Sequence, residues 1–437
     1  MWILTLLLLL LCSVVMISLP YELLSAPDPV GSWEAYLALL YGTGVLSIGL
    51  MSVGMLLALR APSIDRLLGG LDRSYRLHKW IGILGVLVGL IHYLIKLGSK
   101  QLRASATLVK PEDYVSRSTE LFAPLHDAGK LAGEWGLYVL IALVLVALWQ
   151  GISYRRFVGL HRLMALLYLI VAFHALVFIP IDYRRSLAGP VTALLILAGG
   201  AAGIVSLLGR VGAGRRAHGV ITEFNRIGED VLEIQAKVDM GWHGHSSGQF
   251  ALVSFDSREG HHPFTIASAW KGDGKVRFAI KSLGDYTRAL ADRLAVGDPL
   301  VIEGPYGGFD YEDDSKRQIW IAGGVGLTPF VARLEELAAR GGGGRPVDLF
   351  YSTRRADSGV VARLEQVAAE AKVRLHVIES PVDGPLTVDR LAEVTPDLGS
   401  TGVWFCGPAG FGQAIRQGLH QRGLPSGNFH QELFQFR

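Results

Sequence analysis

Two hydropathy patterns divide this chain. Through about residue 210 long apolar runs dominate, and six of them approach or exceed the roughly 20 residues that cross about 30 Å of hydrocarbon. They lie near 2–19, 35–59, 77–97, 135–154, 159–180 and 188–208. Beyond about residue 216 the runs shorten to alternating segments: HGVITEFNRI, VLEIQAKV, QFALVSF, KVRFAIKS and PLVIEG. Five or six such strands, separated by Gly, Asp and His turns, predict a small antiparallel barrel. From about 316 strand and helix patterns alternate: QIWIAGG precedes LTPFVARLEELAAR, VDLFYSTRR precedes SGVVARLEQVAAEA, VRLHVIES follows, and TGVWFCGP leads into GFGQAIRQGL. That order predicts a parallel sheet with crossover helices, an architecture that serves nucleotides in many proteins. The expected fold is multidomain: a six-span α-helical transmembrane domain at 1–210, an antiparallel β-barrel domain at 211–315 and an α/β parallel-sheet domain at 316–437.

Composition sharpens the first half. Of 437 residues half are hydrophobic, and the mean hydropathy is +0.34. The net charge of +3 comes with arginines clustered at the ends of apolar runs, which suits membrane flanks and not a nucleic-acid surface. With only Cys12 and Cys406, neither a disulfide framework nor a thiolate metal site is supported. The first run lacks a basic n-region and a small-residue cleavage site, so it reads as a retained span and not a secretory signal. Arg60, Arg66, Arg73, Arg76 and Lys79 fill one short connection, Arg155, Arg156 and Arg162 another, and Arg210, Arg215 and Arg216 follow the last run. The 20–34 connection holds Glu22, Asp28 and Glu34 but no Lys or Arg. An integral plasma-membrane protein with both termini in the cytoplasm is expected; Arg184 and Arg185 on an outer loop run against this.

Four histidines interrupt two of the spans. His78 and His92 lie in LHKWIGILGVLVGLIHYL, and His161 and His174 in LHRLMALLYLIVAFHAL. Separations of 14 and 13 residues return each pair to nearly one helix face, about 20 Å apart. Imidazole is costly in hydrocarbon without a partner. Two haems, one held by His78 and His161 and the other by His92 and His174, satisfy all four, whereas hydrogen-bonded core histidines are the plainer alternative. Tyr168, midway along the second span, either fills the space between the two groups or simply packs. Lys96 lies one turn beyond His92 and either meets an anion there or snorkels.

Three motifs mark the second half. In HPFTIAS, His262 to Ser268, alternation puts His262, Phe264 and Ile266 on one face, suited to packing on an isoalloxazine ring, with a plain strand and turn as the alternative. In KSLGDYT, Lys281 to Thr287, the turn at Gly284 exposes N–H groups to a diphosphate, with Thr287 as phosphate donor or plain helix cap. In GGVGLTPF, Gly323, Gly324 and Gly326 allow close approach of a pyrophosphate, and Thr328 and Pro329 open the helix behind it. Ser352, Arg354 and Arg355 end a strand where an adenosine ribose is met; arginine there suits a 2′-phosphate, so NADPH is favoured over NADH.

With these residues in this order, the chain resembles the ferric reductase and NADPH oxidase superfamily of transmembrane flavocytochromes b over nearly its whole length. The resemblance implies an oxidoreductase carrying FAD and two haem b groups and drawing electrons from NADPH. It implies that His262, Pro263, Phe264 and Thr265 bind flavin, that the Gly323–Pro329 turn binds the dinucleotide, and that Cys406, Gly407 and Pro408 lie near the nicotinamide. In HQELFQF it implies that Glu432 and one of Phe434 and Phe436 lie close to the flavin. The 14 and 13 spacings resemble those of NADPH oxidases more than those of ferric reductases, which points to dioxygen as acceptor and superoxide as product. Reduction of a ferric chelate is the main alternative, with Arg184 and Arg185 as candidate contacts, and delivery of electrons to a partner protein is a third.

Overall fold

The computed structural model describes residues 2–17, 33–105, 107–110, 120–149, 151–179, 187–228, 230–256, 260–395 and 397–432. The chain separates into two units, Met1–Leu68 with Arg73–Val211, and Gly69–Asp72 with Gly212–Arg437.

The first unit is helical: α1 (Trp2–Ile17), α2 (Trp33–Ala58), α3 (Leu71–Ala104), α4 (His126–Leu148), α5 (Tyr154–Phe178) and α6 (Ala188–Leu207). Among the described residues five helices, α2 to α6, are long and apolar enough to cross a membrane, and α1 is a shorter apolar helix. The fourth apolar run, expected to reach residue 154, stops at Leu148, because Trp149 turns extended. Side chains such as Leu94, Leu145, Leu194 and Leu197 are half-exposed or more, as a lipid-facing surface requires.

Small residues bring these helices together. On α4, Gly129, Gly133 and Gly136 fall at helical spacing and face α5, where added Cβ atoms would meet Val177 and Phe178 at 3.0 Å, His174 at 2.4 Å and Val171 at 3.1 Å. Close backbone approach of this kind drives helix association in lipid, where apolar burial cannot. Between α2 and α3 the same device recurs: Gly44 lies against His92, and Gly85 against Met51. Ser47 there donates to the Gly85 carbonyl at 2.9 Å.

The second unit begins with an antiparallel sheet of β1 (Arg216–Ile227), β2 (Val231–Val238), β3 (Phe250–Ser254), β4 (His262–Thr265), β5 (Lys275–Lys281) and β6 (Pro299–Tyr306). The strand order is β4-β3-β6-β1-β2-β5, and an antiparallel bridge from Ile266 to Phe278 brings its two edges together. Inward-facing Ile221, Ile234, Val253, Phe278 and Ile302 fill the interior. Helix α7 (Asp285–Arg293) lies between β5 and β6.

A parallel sheet follows, with β7 (Arg317–Gly323), β8 (Val347–Thr353), β9 (Arg374–Glu379), β10 (Thr401–Cys406) and β11 (Phe429–Gln431) in the order β11-β10-β7-β8-β9. Helices α8 (Thr328–Ala339), α9 (Ser358–Glu370) and α10 (Ala409–Gln421) are among its connections. Its core is aromatic: Phe309 meets Trp404 edge-on at 5.0 Å and Trp320 stacks on Phe330 at 5.7 Å. Such pairs add about 0.5–1.5 kcal/mol each beyond area burial.

Asp313 ties this core to the loop before β7. Its carboxylate accepts from Ser315, Gln318, Trp404 and Arg345. Burial alone raises a carboxyl pKa, but the hydrogen bonds from Ser315, Trp404 and Gln318 outweigh it and hold Asp313 below the usual range. A depressed folded-state pKa contributes stability that is complete above the unfolded value of about 3.9 and is lost as pH falls through the folded value. Scanning calorimetry is therefore expected to show Asp313→Asn melting below wild type at neutral pH, with the difference shrinking below about pH 4.

Candidate functional site

The membrane unit pairs its histidines across α3 and α5. His78 and His161 have ring centroids 5.8 Å apart with planes at 74°, and His92 and His174 are 6.3 Å apart at 79°. Two imidazoles bonded to opposite sides of one metal at about 2.0–2.1 Å would have ring centres about 6 Å apart. Each pair thus fits a single iron between its rings.

The hydrogen bonds at Nδ1 decide which ring nitrogen each imidazole could offer to a metal. His78 Nδ1 lies 2.9 Å from the Gly54 carbonyl, His92 Nδ1 2.8 Å from that of Leu40, and His174 Nδ1 2.8 Å from that of Gly129. A carbonyl oxygen only accepts, so each Nδ1 must carry the proton, and each Nε2 keeps its lone pair for a metal. His161 differs: its buried Nδ1 has no hydrogen-bond partner among the described residues, and its ring stacks on Phe157 at 5.1 Å. The carbonyl acceptors are backbone groups of α2 and α4, invisible to a search for polar side chains; the glycine spacing in GKLAGEWG was the available signal. A cavity lies beside the second pair, bounded by Gly44, Gly89, His92, Gly133, Leu137 and His174 among others. Its glycines allow close packing: an added Cβ would meet His92 at 3.2 Å from Gly44, Ser47 at 3.1 Å from Gly89 and His174 at 2.4 Å from Gly133.

Lys96 also borders that cavity. Tyr168 is buried, with its hydroxyl 2.8 Å from Ser52 Oγ and 3.4 Å from the Ile196 carbonyl; it fastens α5 to α2 and α6, which is the packing alternative.

In the second unit, β4 carries HPFT with His262 opposite Val253 and Thr265 opposite Phe250. The His262 imidazole stacks on Tyr286 at 4.0 Å and 15°. Burial, reinforced by the neighbouring His261, lowers its pKa to about 4, so at neutral pH it is an uncharged aromatic plate. Pro263 and Phe264 are half-buried on the same strand. Ser268 Oγ accepts from the Arg277 N–H at 3.1 Å. At the start of α7, Thr287 Oγ1 accepts from Leu283 and Gly284 N–H groups at 3.0 and 3.1 Å and donates to the Gly284 carbonyl at 3.2 Å. The threonine is thus engaged as a helix cap.

The Gly-rich turn closes β7. Gly324 has φ of +56°, and Thr328 donates to the Val325 carbonyl at 2.6 Å as α8 begins, with Pro329 in its first turn. A Cβ on Gly326 would lie 2.2 Å from the Cys406 carbonyl oxygen, and one on Gly407 3.1 Å from Gly323 Cα; Pro408 Cδ also abuts Gly323. The C-terminal ends of β7 and β10 therefore touch where the strand order departs in both directions, the switch point at which open α/β sheets bind ligands. Lys281 Nζ lies 4.0 Å from the Cβ position of Gly324 and pairs with Asp230 at 3.3 Å. Ser352 stands opposite Gly323 in the sheet, with Arg354 and Arg355 exposed just beyond the strand. Burial, with Glu432 adding to it, pushes the Cys406 thiol up, so it stays protonated. Glu432 accepts from the Gly308 N–H at 2.8 Å. Phe434, Phe436, Arg184 and Arg185 lie outside the described residues.

Comparisons with known proteins follow the same division. Residues 43–172 match the family described as ferric reductase like transmembrane component, and residues 218–310 match an FAD-binding domain. The chain is 26% identical over 234 residues to the propane 2-monooxygenase reductase component of Rhodococcus jostii, covering 49% of this chain and 62% of that one. It is 33% identical over 174 residues to the ferredoxin–NAD(+) reductase component of the Xanthobacter autotrophicus alkene monooxygenase system, covering 37% and 53%. The chain thus spans between half and two thirds of the length of these curated relatives. Among solved structures, the Amycolatopsis cytochrome P450 reductase GcoB aligns with a TM-score of 0.45 at 23% identity, over 50% of this chain and 70% of that one.

Proposed function

The chain belongs to the ferric reductase and NADPH oxidase superfamily, and from that premise we propose that this transmembrane oxidoreductase moves electrons from cytoplasmic NADPH to dioxygen on the far side of a bilayer. The observation that carries the reading is the matched spacing of the two imidazole pairs, 5.8 and 6.3 Å. His78 with His161, and His92 with His174, would each hold one haem b. Bound there, haem would supply one-electron carriage through the lipid, and FAD in the second unit would divide a two-electron hydride into single electrons.

The chain's own residues set the conditions. Carbonyls of Gly54, Leu40 and Gly129 hold the Nδ1 side of three imidazoles, which leaves each Nε2 lone pair for a metal. His78 with His161, and His92 with His174, would saturate the haems they hold, so an acceptor would take its electron without binding metal. The Gly323–Pro329 turn and the Cys406–Pro408 segment hold the dinucleotide at the sheet's switch point, and Arg354 and Arg355 favour NADPH through its 2′-phosphate. The balance is one NADPH and two dioxygen giving NADP⁺, two superoxide and one proton.

Full-length protein in detergent, supplied with haem and FAD, is expected to reduce cytochrome c with NADPH in air, and superoxide dismutase is expected to abolish that signal. Reduction that dismutase leaves untouched would eliminate dioxygen as acceptor and favour the ferric-chelate reading.

A further inference from the structure

The segment just past HPFT and the helix just past GGVGLTPF are joined by one cluster of charges. Glu335, on α8, accepts from the Ala269 N–H at 3.2 Å and pairs with Arg277 of β5. The same Arg277 donates to the Ala267 carbonyl at 2.8 Å and, through its own N–H, to Ser268 Oγ at 3.1 Å. Glu233 of β2 lies 3.4 Å from Arg277 Nε. Arg363 of α9 closes the ring, 3.3 Å from Glu233 and 3.5 Å from Glu335. The next residue on α8, Glu336, accepts from Ser247 at 2.7 Å, whose hydroxyl also reaches the Ala332 carbonyl at 3.0 Å.

Arg277, Glu233 and Glu335 are each less than one-fifth exposed. Ion pairs that far from solvent escape most screening, and removing one partner leaves the other uncompensated. Residues 267–269 directly continue the strand that begins with His262. Helix α8 directly continues the turn that begins with Gly323. A displacement of α8 along the barrel therefore moves the dinucleotide turn relative to the flavin strand, and this charge cluster is what opposes it.

We propose that Arg277 and Glu335 are positioning residues for hydride transfer, acting as a clamp that fixes the approach of the nicotinamide ring to the flavin. The inference rests on the reading of 262–268 and 323–330 as the flavin and dinucleotide segments. In the step itself the hydride leaves C4 of the dihydronicotinamide and ends on flavin N5. The clamp takes part in no bond change; it sets the distance and angle. Transfer rates depend steeply on both, with misplacement by about 1 Å costing on the order of a hundredfold.

Two variants of the full-length, FAD-loaded protein test this, Glu335→Gln and Glu335→Ala, the first nearly isosteric and safe for folding. Anaerobic stopped-flow mixing with saturating NADPH is expected to show the limiting rate of flavin reduction, per bound flavin, falling roughly tenfold or more in E335Q and further in E335A. Flavin content and the NADPH concentration at half-maximal rate are expected to stay within about twofold of wild type, because neither residue belongs to the nucleotide turns themselves. Arg277→Lys, which keeps the charge but loses the fork, is expected to fall between wild type and E335Q. Amide exchange on cofactor-free protein supplies an independent readout: residues 267–270 should exchange faster in E335Q, with strand 275–281 unchanged. A limiting rate in E335Q equal to wild type, or a loss that merely follows lost flavin, would overturn the proposal. Wild-type protein that retains flavin but is not reduced by NADPH would instead overturn the reading beneath it.

Discussion

Replacing His174 with leucine is expected to halve the b-type pigment and to abolish electron delivery to an outer acceptor, while NADPH still reduces the flavin at the wild-type rate. The expectation follows from the paired geometry. His174 stands 6.3 Å from His92, and among the described residues lining the cavity beside them these two are the only histidines. Loss of an outer hydrogen-bond partner alone typically weakens metal binding about 10–100-fold, so loss of the ligand itself should exceed that range. The measurements are the reduced-minus-oxidised spectrum, acceptor reduction and anaerobic flavin bleaching on one preparation. His126→Leu is the control: His126 packs on Phe178 at 4.8 Å near the same end of the bundle but belongs to neither pair. If both variants keep full pigment, the imidazole pairs are ordinary core contacts and the haem assignment fails.

The second large effect concerns Gly326. Alanine there would place a methyl 2.2 Å from the Cys406 carbonyl oxygen and 2.6 Å from its carbon. Those are backbone atoms at the end of β10 and cannot swing aside as a flexible side chain would. Either β10 shifts from β7 or the turn lifts, and overpacking of this kind costs about 1–3 kcal/mol. Reduction of flavin by NADPH is expected to fall at least roughly a hundredfold in Gly326→Ala, since the site depends on the two strand ends touching. Pigment content and reoxidation of dithionite-reduced protein by air should be unchanged, because the membrane unit keeps its sequence. Stopped-flow flavin reduction beside a haem spectrum separates the two. A variant that binds and oxidises NADPH normally would remove Gly326 from the dinucleotide site.

How much of this could be read before the structure depends on what each feature asks of the sequence. Barrel strands such as Val231–Val238 show their alternation directly, with Leu232, Ile234, Ala236 and Val238 buried. The parallel sheet announces itself through strand-helix order. The four histidines stand out because a polar ring in an apolar run is costly. Other features carry no mark. A carbonyl acceptor such as that of Leu40 or Gly129 exists at every position, so only the helix packing singles it out. Thr287 is equally apt as cap or phosphate donor, and only the bonds from Leu283 and Gly284 show that it caps. Of the first apolar run, expected over 2–19, Trp2–Ile17 is helical and residues 18 and 19 lie outside the described residues. Glu335 and Arg277 sit 58 residues apart in sequence, on a helix and a strand of different sheets, and ordinary charge patterning gives no reason to pair them.

Because Gly54, Leu40 and Gly129 offer main-chain oxygens to the imidazoles, mutation of those side chains cannot delete the acceptors. Whatever residue drift brings to positions 40, 54 or 129, the oxygen stays so long as the helix keeps its axis and rotation. The orientation of three of the four rings thereby rests on main-chain oxygens and follows the helices; the His92 Nδ1 also lies 3.4 Å from Thr43 Oγ1, and the His161 Nδ1 has no hydrogen-bond partner among the described residues.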